Sequence, residues 1–142
     1  TRHFAARYQR LAGGRLGLLR MGRILVVEDD HAICALIADI LGQAGLETLC
    51  VRNDRAAYDA LTTPPPFRAL LVDVNLGQGA TGYDVARFAR QAIPGIAVIY
   101  VSGDASRGTF EQSGVPDSDF IAKPFTAAQL LATVQRRIGT SR

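Results

Sequence analysis

The sequence has no tryptophan, one methionine, two cysteines, and a single lysine against fifteen arginines. No apolar run reaches the ~18 residues that a membrane-spanning helix needs, and none follows a basic segment as in a secretion signal. Cys34 and Cys50 lack the spacing of metal ligands and lie among apolar residues. They predict buried free thiols in a reducing compartment. We therefore expect a cytoplasmic protein that is not embedded in a membrane.

Positive charge is unevenly distributed along the 142 residues. Residues 1–20 contain five arginines and no acidic residue, whereas residues 21–142 contain eleven basic and thirteen acidic residues, a net charge of −2. The net charge of +3 for the whole chain therefore comes from its first twenty residues. We interpret 1–20 as a tag, a mis-set start or an upstream linker, and 21–142 as one globular domain. That domain lacks the basic excess typical of nucleic-acid binding.

Strand and helix patterns alternate five times from residue 23 onward. The predicted strands are 24–27, 46–51, 68–72, 96–101 and 119–122, and the predicted helices are 31–43, 54–61, 82–92, 105–113 and 126–138. An apolar stripe expected to face the core in the first helix comprises Ile33, Leu36, Ile37, Ile40 and Leu41. The predicted N-terminal caps are Asp30, Thr81 with Asp84, and Thr126 with Gln129. Gly108 weakens the fourth helix. Five successive βα units predict an α/β fold with a parallel sheet covered on both faces.

Polar side chains follow the ends of these strands. Glu28 and Asp29 come after the first strand, and Asp73 comes directly after the third. In a doubly wound sheet of order 2-1-3-4-5, ligands bind at the carboxyl ends of strands one and three, where the strand order reverses. Carboxylates held close together repel each other, and hard oxygen ligands with open positions suit Mg²⁺ and a phosphate group. The sequence therefore predicts a magnesium site for a phosphate-bearing partner. The single lysine, Lys123, follows the fifth strand and adds a compact cation to this pocket.

Residues 23–138 resemble a receiver domain of two-component response regulators, with a flavodoxin-like fold. Four parts carry the resemblance: the Glu28-Asp29 pair, Asp73, Ser102 ending strand four, and the motif Lys123-Pro124-Phe125. The resemblance implies a signalling domain, not an enzyme beyond its own phosphorylation and dephosphorylation. It would accept a phosphoryl group from a histidine kinase or a histidine phosphotransfer protein.

The resemblance also implies a role for each site residue. Asp73 is the expected phospho-acceptor. Asp29 and Asp73 are the expected Mg²⁺ ligands, joined by Glu28 through water and by the backbone carbonyl of Asn75. Ser102 and Lys123 would bind phosphoryl oxygens. Ser102 and Phe120 would form the conformational switch, and the Lys123–Pro124 bond is cis in the family. His31 is interpreted as an exposed residue of the first helical turn.

The loop after Asp73 departs from the family pattern. Many receivers have proline where Gly77 stands, and one residue fewer before the glycine that aligns with Gly82. Gly77, Gly79 and Gly82 also match G-x-G-x-x-G, which leaves a dinucleotide-binding module as an alternative. Four residues separate strand and first glycine, and an aspartate at the strand end would repel a pyrophosphate, so the receiver is preferred.

The wider context of the domain stays open in the sequence. The resemblance fits a stand-alone response regulator or the C-terminal receiver of a hybrid histidine kinase. It allows a phosphorylation-dependent homodimer and an unidentified downstream protein partner, and it gives no reason to expect nucleic-acid or membrane binding by this domain.

Overall fold

A five-stranded parallel sheet organises the chain. The structure, a computed structural model, describes residues 22–77 and 79–139, so our interpretation of residues 1–20 lies outside the described residues. The strand order is β2-β1-β3-β4-β5, which confirms the predicted fold class and topology. The strands are β1 (Arg23–Val27), β2 (Glu47–Val51), β3 (Ala69–Val72), β4 (Ala97–Gly103) and β5 (Ser118–Lys123). The helices are α1 (His31–Gln43), α2 (Asp54–Leu61), α3 (Gly82–Ala92), α4 (Arg107–Ser113) and α5 (Ala127–Ile138), with a 3₁₀ turn at Asp104–Ser106 before α4.

Apolar side chains cover both faces of the sheet. Successive residues of a strand point to opposite faces, so Leu25 and Val27 of β1 join a core with α2 and α3, whereas Ile24 and Val26 join a second core with α1 and α5. All four residues of β3 are buried. Because β3 is apolar on both faces, the first polar residue comes only after the strand ends. That residue, Asp73, therefore lies at the carboxyl edge of the sheet.

Helix α1 begins and packs largely as expected, with one correction. Asp30 caps it by accepting hydrogen bonds from the N–H groups of Ala32 and Ile33. Ile37 and Leu41 are buried, but Leu36 is 48% exposed, so its predicted place in the core stripe is wrong. The buried face is rotated toward Cys34, which lies one turn before Ile37 and packs against β2.

The two cysteines form a disulfide, so the prediction of free thiols is wrong. Cys34 lies in the first turn of α1 and Cys50 near the end of the edge strand β2. Because α1 packs back against β2, their Cα atoms are 6.2 Å apart, within the range that a disulfide requires. Sequence spacing alone could not show this packing. The cysteines therefore no longer support a reducing compartment, and localisation stays a prediction.

Element boundaries near the pocket differ slightly from the prediction. Strand β4 continues through Ser102 and Gly103 because these residues pair with Ala122 and Lys123 of β5. Ser102 therefore lies inside the strand, and Lys123 is the last residue of β5. The capping boxes at Thr81 and Thr126 are both formed. Within residues 22–77 and 79–139, no helix is long and apolar enough to cross a membrane.

Candidate functional site

Glu28 and Asp73 continue the backbone hydrogen bonding of the sheet beyond β1 and β3. The Asp73 N–H donates to the Val27 carbonyl at 3.1 Å, and the Glu28 N–H donates to the Val51 carbonyl at 3.0 Å. These bonds extend the β1–β3 and β1–β2 ladders past the ends of the regular strands. These backbone bonds therefore fix the positions of Glu28 and Asp73. Both predicted residues lie at the same edge of the sheet.

The Asp73 carboxylate is surrounded by three donors. Its Oδ1 accepts hydrogen bonds from Ser102 Oγ at 2.6 Å and from the Asn75 N–H at 3.1 Å. Its Oδ2 accepts a hydrogen bond from Lys123 Nζ at 2.8 Å. Asp73 is 8% exposed and Ser102 is fully buried, so the carboxylate lies at a narrow opening. Charge-assisted hydrogen bonds of this kind hold the carboxylate in one orientation.

Lys123 bridges two buried carboxylates. Its Nζ lies 2.7 Å from Glu28 Oε1 and 2.8 Å from Asp73 Oδ2. Burial raises the pKa of Glu28, and its hydrogen bonds from Lys123 and the Asp30 N–H reverse only part of that rise. Burial alone would lower the pKa of Lys123, but hydrogen bonds to Asp73 and Glu28 outweigh it, so the pKa of Lys123 is raised. Lys123 therefore stays charged, and its ammonium group pairs with the carboxylates of both Glu28 and Asp73.

The acidic residues have the composition of a hard-cation site. Glu28, Asp29 and Asp73 each present a carboxylate oxygen, and these oxygens lie within 4.8 Å of one another. Three carboxylates and one ammonium leave two negative charges without a partner when all are ionised. Asp29 is exposed to solvent, and carboxylates that are open to water match the preference of Mg²⁺ for carboxylates and retained waters. These residues therefore fit the predicted ion.

The loop after Asp73 is anchored at both of its ends. The Gly82 N–H donates to the Val74 carbonyl at 2.9 Å. A Cβ at position 82 would lie 2.2 Å from the Asp73 carbonyl oxygen, so only glycine fits there. Between these ends, Gly79 has φ of +95°, and the Asp54 carboxylate accepts a hydrogen bond from the Ala80 N–H at 3.3 Å. The longer loop is thus attached to α2.

A layer of aromatic and hydroxyl groups lies between the site and α4. Phe120, predicted as a switch residue, is half-buried, with its ring 5.4 Å from Phe110. The Arg107 guanidinium lies over the Phe120 ring, 4.8 Å from its centroid. Our sequence reasoning did not include Ser106 in the site, yet it is buried with its Oγ 3.5 Å from Ser102 Oγ. Its four-residue spacing from Ser102 was the available signal.

Three other predictions concern His31, the Lys123–Pro124 bond and Asn75. His31 is exposed at the start of α1, as expected. The Lys123–Pro124 peptide bond is cis, as the resemblance implied. Asn75 is exposed and its N–H donates to Asp73 Oδ1. The role of its carbonyl as a metal ligand stays a prediction.

The fold and the acidic residues at its carboxyl edge have a counterpart in a known family. The model of the response regulator receiver domain matches residues 24–135. The chain belongs to this family. Receiver membership removes the dinucleotide-binding alternative, because the glycines of that motif lie in the loop that follows the receiver's acidic site.

Curated relatives support the same assignment. A response regulator receiver protein of Anaeromyxobacter sp. (strain Fw109-5) is 34% identical over 110 residues, covering 78% of this receiver and 43% of the relative. The DNA-binding response regulator MtrA of Mycobacterium tuberculosis is 31% identical over 121 residues, covering 82% of this receiver and 50% of MtrA. The chain spans about half the length of the curated relatives it matches.

Solved receiver structures have the same fold. A response regulator receiver protein of Sinorhizobium medicae WSM419 superposes with a TM-score of 0.78 and 30% identity, covering 82% of this receiver and 94% of that chain. The receiver domain of sensor histidine kinase PA1611 of Pseudomonas aeruginosa PAO1 gives a TM-score of 0.71 and 29% identity, covering 84% and 98%. The latter structure has a magnesium ion coordinated in its active-site cleft.

Proposed function

We propose that this receiver accepts a phosphoryl group on Asp73 from the phosphohistidine of a histidine kinase or a phosphotransfer protein. The observation that supports this most directly is the set of three donors around one carboxylate, from Ser102, Asn75 and Lys123. All three donors lie near strand ends or in the loop after Asp73, so the sheet determines their positions around the acceptor.

The chemistry is a displacement at phosphorus. A carboxylate oxygen of Asp73 forms the O–P bond while the P–N bond of the donor breaks, and its electron pair returns to the imidazole nitrogen. Such transfer needs alignment and charge neutralisation more than covalent assistance. Lys123 and Ser102 already hydrogen-bond the acceptor, and they would turn to the phosphoryl oxygens once the group is attached.

Mg²⁺ would be held by Asp29 and Asp73 directly, by Glu28 through water, and by the backbone carbonyl of Asn75. When bound, it supplies positive charge beside the phosphoryl oxygens. The support in this chain is the group of three carboxylates within 4.8 Å. The magnesium reported in the similar PA1611 receiver fits the same proposal.

The same geometry supports Ser102 and Phe120 as the switch pair. Ser102 Oγ contacts the acceptor at 2.6 Å, and Phe120 lies two residues before the β5 residue paired with Ser102. Movement of the hydroxyl toward a phosphoryl oxygen would vacate space near this aromatic ring. Output would then pass through α4 and β5 to a downstream protein, or to a second copy of the receiver in a phosphorylation-dependent dimer.

The similar proteins come from two kinds of signalling protein. MtrA is a DNA-binding response regulator, whereas the PA1611 receiver is part of a sensor histidine kinase. Our proposal for this receiver is a stand-alone response regulator in the cytoplasm, with the C-terminal receiver of a hybrid histidine kinase as the alternative.

Phosphorylation with a small donor tests the proposal. Incubation with Mg²⁺ and acetyl phosphate should add one phosphate to the wild type, measured by intact mass, and none to Asp73→Asn. Asp104→Asn, which alters an exposed carboxylate at the entry to α4, is the matched control and should be labelled like the wild type. Comparable labelling of Asp73→Asn would refute the assignment of the acceptor.

A further inference from the structure

A hydrogen bond connects α3, the helix after the Asp73 loop, with α4. Tyr83 is 8% exposed, its ring packs 5.2 Å from that of Tyr100, and its hydroxyl lies 2.7 Å from Thr109 Oγ1. Thr109 Oγ1 also donates to the Ser106 carbonyl at 2.9 Å. Because a threonine hydroxyl has one hydrogen, Tyr83 must donate and Thr109 accept. The bond therefore has a defined direction, from α3 to α4.

Helix α4 has few other attachments. None of its seven residues is buried, and the ring of Phe110 provides its main apolar contact, 5.6 Å from Tyr100 and 5.4 Å from Phe120. An element with little buried apolar surface has low local stability. The hydrogen bond to buried Tyr83 therefore adds to a small set of attachments, in which Arg107 of α4 also packs over the Phe120 ring.

Both ends of this bond are connected to Asp73. On one side, Tyr83 follows Gly82, where an added Cβ would lie 2.2 Å from the Asp73 carbonyl oxygen. On the other side, Thr109 is oriented by the Ser106 carbonyl, and Ser106 Oγ lies 3.5 Å from the Ser102 hydroxyl that contacts the Asp73 carboxylate. Tyr83 is thus connected to the backbone of Asp73, and Thr109 is connected through Ser106 and Ser102 to its carboxylate.

We propose that the Tyr83–Thr109 hydrogen bond is a latch that holds α4 in its resting position, and that phosphorylation of Asp73 opens it. The opening step rests on the proposed function. When Ser102 turns toward a phosphoryl oxygen, the 3₁₀ turn that contains Ser106 follows, and Thr109 moves away from Tyr83. Since a hydrogen bond at 2.7 Å is lost beyond about 3.5 Å, a displacement below 1 Å is enough.

Amide hydrogen exchange of α4 tests the latch in the resting protein. Tyr83→Phe and Thr109→Val should each accelerate exchange about fivefold, as expected for the loss of one net hydrogen bond. The double variant should show no further acceleration, and Thr109→Ser should retain wild-type protection. Tyr58→Phe, which alters a tyrosine packed on Phe88 between α2 and α3, is the matched control. Unchanged exchange in both single variants, or additive effects in the double variant, would overturn the latch.

The coupling is tested by adding beryllofluoride and Mg²⁺ as a phosphoryl mimic. Wild-type α4 should lose protection to the level of resting Tyr83→Phe, and the two single variants should change by less than half as much. An equal change in wild type and variants would overturn the coupling. Labelling of Asp73 by acetyl phosphate separates the two proposals: unlabelled wild type refutes the acceptor assignment, whereas labelled wild type with an unresponsive α4 refutes the latch opening.

Discussion

Replacing Lys123 by methionine removes the charge from the centre of the site while keeping a stem of similar length. In the wild type, the ammonium lies 2.7 Å from Glu28 Oε1 and 2.8 Å from Asp73 Oδ2, and the side chains are 20%, 3% and 10% exposed. The variant would leave two buried carboxylates within 4.8 Å of each other and without a cation. Removing one partner of a buried pair costs about 3–5 kcal/mol.

Protonation limits this cost. The pKa of Glu28 is already raised by burial, and losing Lys123 raises it further. The folded state of Lys123→Met then binds a proton that the unfolded state releases above its ordinary value of 4.5. Stability must therefore fall as pH rises through the interval between 4.5 and the higher folded pKa. We expect a loss of about 3 kcal/mol at pH 8, equivalent to a melting temperature lower by ~10 °C, and a smaller loss at pH 5.

Urea and thermal denaturation at pH 5 and pH 8, with chelator and then with Mg²⁺, measure these effects. Added Mg²⁺ should narrow the difference from wild type, because it neutralises the remaining carboxylates. Arg87→Met is the control, since its pair with Asp84 is exposed and should contribute at most about 1 kcal/mol. If Lys123→Met loses no more than the control, and equally at both pH values, the reasoning about a buried ammonium is wrong.

Three other sets of variants address the metal, the switch and the acceptor loop. Asp29→Ala should weaken Mg²⁺ binding in calorimetry more than Glu28→Ala, because the proposed direct ligand is lost; equal and unchanged affinities would contradict this ligand set. Lys123→Arg should lose the beryllofluoride-induced change in amide exchange of α4, because a planar guanidinium replaces a compact donor; a wild-type response would reduce the lysine to a counter-charge. Gly82→Ala should lower stability by about 2–3 kcal/mol through overpacking, whereas Gly42→Ala, whose Cβ meets nothing within 4 Å, should raise it by about 0.5 kcal/mol. Equal melting temperatures for the two glycine variants would contradict the contact at the acceptor.

Features that depend on local pattern could be predicted from the sequence. The apolar runs of β1 and β3 determined where the polar residues Glu28 and Asp73 emerge, and the caps at Thr81 and Thr126 identified two helix starts. Lys123 was recognisable because the chain has no other lysine.

Features that depend on packing angles between helices and strands could not be predicted from the sequence. Leu36 and Cys34 both fit an apolar helical face, and only the rotation of α1 against β2 decides which one is buried. The disulfide depends on the same rotation. Tyr83 and Thr109 are 26 residues apart, and nothing in their local sequence relates one hydroxyl to the other.

The Gly82-to-Val74 hydrogen bond closes the loop after Asp73 at its base, and this separates loop length from site geometry. An added residue between 77 and 80 would enlarge a closed loop whose two ends remain fixed. Closure entropy changes slowly with length, by about 0.6 kcal/mol for each doubling. The segment can therefore accept insertions, such as a short epitope or a dye-labelling tag, without altering the distance between Asp73 and α3. The residue by which this loop exceeds the usual receiver pattern lies between two ends that the Gly82-to-Val74 bond holds together.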